Sequence, residues 1–168
     1  IHVLKKIKLK KAWVFHSNDG LDEISLFDKT QVYEIENEKI NHFEINPKEI
    51  VNTNGKLSDI LGADAKYNKE KIIEVLKGKT NTLSQIITLN CAAGLIVSSK
   101  EKELKNSYIK IESFLQTGKA FNHLEKVIKN SEIDLEFAIT KSLKPFLFQV
   151  RPISTTKKWK FISIEKHQ

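Results

Sequence analysis

At 168 residues, with 40% hydrophobic and 29% charged side chains, the chain is long enough for one well-buried core and a small appendage. It holds no run of about 18 apolar residues that could span a membrane. The net charge of +7 sits at the two ends, in Lys5, Lys6, Lys8, Lys10 and Lys11 and in Lys157, Lys158, Lys160 and Lys166, so the near-neutral body offers no basic stripe interleaved with aromatics for nucleic acid.

In chain order, Ala12-Trp13-Val14-Phe15-His16 is a short apolar run closed by turn formers, which predicts a buried strand leading into a loop. That loop, Ser17-Asn18-Asp19-Gly20-Leu21-Asp22-Glu23-Ile24-Ser25, gathers three carboxylates. At the carboxyl end of a strand in an open α/β sheet, it occupies a ligand-binding position. Residues 30–35 and 40–45 alternate in period two around Glu36-Asn37-Glu38-Lys39 and predict a β-hairpin.

Beyond Asn46-Pro47 the pattern turns helical. Ile72, Ile73, Val75 and Leu76 form one apolar face that stops at Gly78. Residues 81–99 carry Leu83, Ile86, Ile87, Leu89, Ala92, Ala93, Leu95 and Ile96, apolar on most sides, and predict a largely buried helix as the spine of the fold. The lone Cys91 lies within it and is read as a packed thiol in a reducing cytoplasm, with no partner for an intramolecular disulfide. Leu104, Tyr108, Ile111 and Leu115 mark a helix ending at Gly118, and Ala120 to Ile128 supplies another with Leu124, Val127 and Ile128 on its apolar face. At Asn130-Ser131 the texture changes to strands, over 135–139 and 146–150 around the turn 141–145, with Trp159 to Ile164 as a third strand-like run.

Adjacent acids on a loop can both turn toward one hard cation, which takes one or two carboxylates and completes its shell with water or phosphate oxygens. Asp22 and Glu23 are the candidate metal ligands, and Asp19 is a weaker third. Spacing alone leaves a second possibility open, an acidic turn built on Asp19-Gly20. His16 and Ser17 flank the loop without an assigned role, while His42 and His123 lie on regular elements with no second ligand at metal spacing.

The wording of His16 to Ser25 resembles the strand-to-loop signature of the anthranilate phosphoribosyltransferases. Downstream, Gly62-Ala63-Asp64-Ala65 with Asn68 is similar to that family's G-G-D-A-x-x-N element. Leu89-Asn90-Cys91-Ala92-Ala93-Gly94-Leu95 is similar to its L-N-A-A-A-x-L helix, and Gly118-Lys119-Ala120 through Leu124 to its closing helix. The resemblance implies an α/β fold: a partial phosphoribosyltransferase (nucleoside phosphorylase-like) domain over residues 1–130. It further implies Mg2+ as cofactor on Asp22 and Glu23, with phosphoribosyl pyrophosphate and anthranilate as substrates in tryptophan biosynthesis. A cytoplasmic homodimer is implied for the intact enzyme, with no nucleic-acid or membrane partner.

The family's glycine-rich G-T-G-G-D loop, its K-H-G-N-R segment and its anthranilate-recognising arginine are not found here, and six glycines are too few to hide a phosphate loop elsewhere. With no Met and an opening at Ile1, the chain is expected to be an incomplete and inactive fragment, the alternative being a non-catalytic remnant or binding module. Residues 131–168 read as a β-rich extension of separate origin, from a joined or frame-shifted product. The stretches 134–139 and 148–153 resemble the last hairpin of the ATP-binding domain of phosphoenolpyruvate synthase and pyruvate phosphate dikinase, which implies nucleotide-facing roles for Glu136, Gln149 and Arg151. An ordinary amphipathic hairpin is the alternative, and because two strands alone are barely stable in water no ATP-dependent activity is expected.

Overall fold

Alternation of apolar and polar residues through Thr30–Glu36 (β2) and Lys39–Ile45 (β3) builds the hairpin that organises the first half of the chain. Its turn residues Asn37 and Glu38 have φ of 51° and 66°, the left-handed pair whose twist matches that of the flanking strands. The computed structural model describes residues 1–7, 9–130, 133–139 and 145–152. These fall into two units, Ile1–Phe121 and Asn122–Gln168.

In the first unit Lys11–Ser17 (β1) pairs antiparallel with β2, giving the order β1-β2-β3 with Phe15 opposite Val32 and Ser17 opposite Thr30. The expected strand is present, but it is not buried. Its side chains alternate between the two faces of the sheet and only one face meets the core; Ser17 is buried while Val14 is 38% exposed. The sheet is an antiparallel meander, and the rule that places ligands at the carboxyl ends of parallel strands does not bear on it.

After a short amino-terminal helix, His2–Lys6 (α1), and the sheet, two single 3-10 turns at Pro47–Glu49 and Leu57–Ile60 carry the chain to the helices. Ala65–Leu76 (α2) starts on an Asp64 cap that accepts from the Tyr67 N–H at 2.8 Å. It stops at Gly78, φ 97°, where the Gly78 and Lys79 N–H groups donate to the carbonyls of Val75 and Glu74. Thr82–Val97 (α3) opens on a reciprocal cap between Asn81 and Ser84 and buries Ile86, Leu89, Ala92, Ala93 and Ile96, as expected of the spine. Leu104–Gln116 (α4) packs along α3 and buries Tyr108.

These pieces meet in one core. Ile24 and Leu26 from the β1–β2 loop, Val32 and Ile45 from the sheet, and Val51 close on Ile86, Leu89, Ala92, Ala93 and Tyr108. Trp13 and Phe43 border it edge to face, with ring centroids 5.3 Å apart. Cys91 departs from expectation and is exposed. Its sequence neighbours Ala92 and Ala93 face the core, but a helix turns about 100° per residue, which carries position 91 to the outer side with exposed Gly94. Desolvation by its surroundings still raises the thiol above the ordinary cysteine value.

Lys119–Asn130 (α5) is the last expected helix, with Ile128 59% exposed. In the second unit Ile133–Ile139 (β4) and Pro145–Pro152 (β5) pair antiparallel, with Glu136 opposite Gln149, Asp134 opposite Arg151 and a register shift after Glu136. The turn residues 141–144 and the run Trp159 to Ile164 lie outside the described residues. Sheet and helices together make the α/β fold expected.

Candidate functional site

The acidic segment is the connection from β1 to β2, and its neck is tied at both ends. The Asn18 N–H donates to the Lys29 carbonyl at 2.9 Å, and the Ser17 hydroxyl donates to the same carbonyl at 3.2 Å. Just beyond, a tight turn returns the chain: the Ser17 N–H donates to the Leu21 carbonyl and the Gly20 N–H to the Ser17 carbonyl, both at 3.0 Å. Gly20 sits there at φ 91°, a conformation that requires glycine.

Asp19 braces this turn from inside. One carboxylate oxygen accepts from the Ser25 hydroxyl at 2.5 Å and the other from the Leu21 N–H at 3.2 Å. Partial burial opposes the charge, yet these hydrogen bonds, foremost that from Ser25, hold the Asp19 carboxyl below the usual aspartate value. Ser25 is itself fixed, its oxygen accepting from the Phe27 N–H and its own N–H donating to the Thr30 hydroxyl, with both side chains fully buried. Asp19, the weaker third candidate ligand, is therefore occupied in holding the loop together.

Ile24, fully buried, anchors the loop in the core. Its main chain is paired from across the fold: the Ile24 N–H donates to Asn90 Oδ1 at 2.9 Å, and Asn90 Nδ2 donates back to the Ile24 carbonyl at 3.0 Å. With Ile24 turned inward, Asp22 and Glu23 stand exposed, and among the described residues neither carboxylate accepts a hydrogen bond or meets a cation. Neither lines the two larger surface grooves, which lie around Asn68 and around Glu34.

The donor set fits a magnesium ion. Two adjacent, unengaged carboxylates are hard oxygen ligands, the number this ion takes from protein when phosphate oxygens and water complete its octahedron. Among the described residues no group of three or more His, Cys, Asp or Glu is arranged for a metal.

His16 is exposed on β1; His42 is stacked on Tyr33 with centroids 4.5 Å apart and its Nε2 lies 3.0 Å from Gln31. His123 is exposed on α5. In the Gly62 to Asn68 segment, Asn68 accepts from the Ala63 N–H at 2.9 Å and donates to the Ala63 carbonyl at 3.2 Å, so this element braces the start of α2. Sequence reasoning missed Asn90 as an individual residue. Its signal was a polar amide in an apolar helix, which must find partners.

With this geometry in view, similarity to known proteins is extensive over the first unit. The profile described as "Glycosyl transferase family, a/b domain" matches residues 2–121. An anthranilate phosphoribosyltransferase of Pelagibacter ubique is 36% identical over 126 residues, which are 75% of this chain and 38% of that relative. Among solved structures, the anthranilate phosphoribosyltransferase from Saccharomyces cerevisiae in complex with 4-fluoroanthranilate superposes with a TM-score of 0.65 at 28% identity, over 71% of this chain and 35% of its own. The yeast enzyme in complex with PRPP and Mg gives 0.63 at 28% identity, over 70% and 34%. The chain thus spans little more than a third of the relatives it matches.

Proposed function

Since the chain belongs to the glycosyl transferase family through its a/b domain, we propose that it is the magnesium-binding part of an anthranilate phosphoribosyltransferase. The observation that carries this is the loop after β1, where Asp22 and Glu23 stand exposed and, among the described residues, unengaged, while Asp19, Leu21, Ile24 and Ser25 around them are held by hydrogen bonds. In the proposed reaction the amine of anthranilate displaces pyrophosphate from C1 of phosphoribosyl pyrophosphate. Bound Mg2+ supplies charge neutralisation at the pyrophosphate. The chain's own part is to present two carboxylates in a fixed place for that ion. Residues that would cradle the phosphates or recognise anthranilate are not identified in this sequence, so the chain alone is expected to bind without turning over.

The domain division is part of the same reading: residues 1–130 as the partial transferase domain and 131–168 as an extension of separate origin. The end of the family match at residue 121 and the division of the chain into two units support it. Cytoplasmic location, a homodimer in the intact enzyme and the absence of nucleic-acid or membrane partners belong to this proposal too; no helix among the described residues is long and apolar enough to cross a membrane. A second reading concerns the extension. The pairing of Glu136 with Gln149 across β4 and β5 supports its resemblance to the ATP-binding hairpin of phosphoenolpyruvate synthase, with Arg151 two positions on. As an isolated hairpin it carries no proposed activity.

The test is a calorimetric titration of the chain with phosphoribosyl pyrophosphate, with and without Mg2+. Mg2+ is expected to strengthen binding to the wild-type chain, and Asp22→Asn with Glu23→Gln is expected to abolish that effect with the melting temperature unchanged. A Mg2+ effect that persists in the double variant removes the role of the pair.

A further inference from the structure

We infer that Asn90 is the positioning residue of the proposed metal half-site, fixing Asp22 and Glu23 by pairing with the main chain of Ile24; this rests on the magnesium reading above. Asp22 and Glu23 have no side-chain partners among the described residues, so their placement is set by the backbone on either side, with Leu21 held within the turn by Ser17 and Asp19 and Ile24 held from across the fold by Asn90. That backbone lies in irregular loop, where no strand neighbour satisfies Ile24, and an unpaired buried peptide group costs about 1–3 kcal/mol. Asn90 meets both needs of Ile24 with one amide, at 2.9 and 3.0 Å across 66 positions of sequence.

The amide cannot swing. Its second N–H donates to the Ile86 carbonyl at 3.0 Å, one turn back on α3, so its plane is held from its own helix as well as from the loop. The helix is in turn locked by Ile86, Leu89, Ala92 and Ala93 in the core. Asn90 therefore transfers the position of the most buried helix to the residue next to Glu23. It donates no atom to the ion, and its contribution is geometric.

The experiment uses the 168-residue chain labelled with 15N, and Mn2+ as a paramagnetic probe of the site. In the wild type, Mn2+ is expected to broaden the amide signals of Asp22 and Glu23 first, and Asp22→Asn with Glu23→Gln to abolish this. In Asn90→Leu, hydrogen exchange at the Ile24 amide should quicken by at least about tenfold, and the Mn2+ needed for half-broadening should rise several-fold. Asn90→Asp keeps the side chain's size and its acceptor but loses the donors. The ionised carboxylate faces the carbonyls of Ile24 and Ile86, which repel it from this position and so weaken protection at the Ile24 amide; protonation restores one donor toward the Ile24 carbonyl, so protection at Ile24, corrected for intrinsic exchange, should return as pH falls. A packing role alone gives no such profile.

Unchanged exchange at Ile24 and an unchanged Mn2+ midpoint in both variants overturn the proposal. So does an equal acceleration at every core amide, which marks general loss of stability. Absence of Mn2+ broadening at Asp22 and Glu23 in the wild type overturns the magnesium reading instead, and exchange at Ile24 still reports whether Asn90 fixes the loop.

Discussion

Asp19 and its two neighbours in the loop are chemically alike and differently placed, because Asp19 has partners and, among the described residues, the others have none. The bonds from the Ser25 hydroxyl and the Leu21 N–H favour the ionised form of Asp19 and lower its pKa against the opposing effect of burial. A carboxyl whose folded-state pKa is depressed stabilises the fold fully above the unfolded value, near 3.9, and loses that contribution as pH falls through the depressed value. Asp19→Asn is therefore expected to melt below the wild type at pH 7, with the gap closing below about pH 4 as the wild-type carboxyl protonates. Thermal melts followed by circular dichroism from pH 7 to pH 3 check this, and a gap constant with pH would count against the brace. The wording Asp19-Gly20 signalled a turn in the sequence. That the carboxylate reaches Ser25 rather than a cation was not legible, since adjacency in the chain does not say which of three acids finds a hydroxyl.

At the scale of the element, two glycines at helical boundaries and interiors pull in opposite directions. Gly78 closes α2 at φ 97°, and a Cβ there would lie 2.8 Å from the Gln116 carbonyl oxygen at the end of α4. Gly78→Ala is expected to destabilise the chain by about 1–2 kcal/mol, from the left-handed backbone and the contact together. Gly94 lies inside α3, where a Cβ meets nothing within 4 Å. Gly94→Ala should stabilise by about 0.5–1 kcal/mol. Urea titrations of both variants read the two signs, and a stabilising Gly78→Ala would contradict the left-handed turn that closes α2. The stop at Gly78 was readable because glycine after an apolar face has one common cause. So was the hairpin, whose period-two pattern and polar turn agree. The burial of β1 and of Cys91 was misread for a shared reason: a run of apolar residues does not tell which sides of an edge strand or a helix are covered. Asn90 was visible only as part of a family motif, because its partner lies 66 residues away and no local pattern links them.

For the whole molecule, the question is what the extension contributes to the site. Among the described residues, the bonds that fix the acidic loop come from residues 17–31 and from Asn90, all within the unit Ile1–Phe121. The core cluster beneath it also lies within that unit. The family profile matches residues 2–121, within the same unit. If the site and its support are both local, removing residues 131–168 changes neither. A chain ended after Asn130 is expected to melt within about 3 °C of the full chain, a shift that corresponds to about 1 kcal/mol for a domain of this length. It is also expected to bind Mn2+ at Asp22 and Glu23 with the same midpoint. A drop in melting temperature of 10 °C or so would mean that the β4–β5 hairpin covers apolar surface the first unit needs, and residues 131–168 would then be part of the transferase fold. A weaker Mn2+ midpoint at unchanged melting temperature would mean instead that the extension reaches the metal loop itself. Either result rejects the separate origin of the two parts as a guide to how they behave. Agreement on both measures leaves the carboxylate pair, the Asn90 clamp and the buried helix behind it as a self-sufficient half-site.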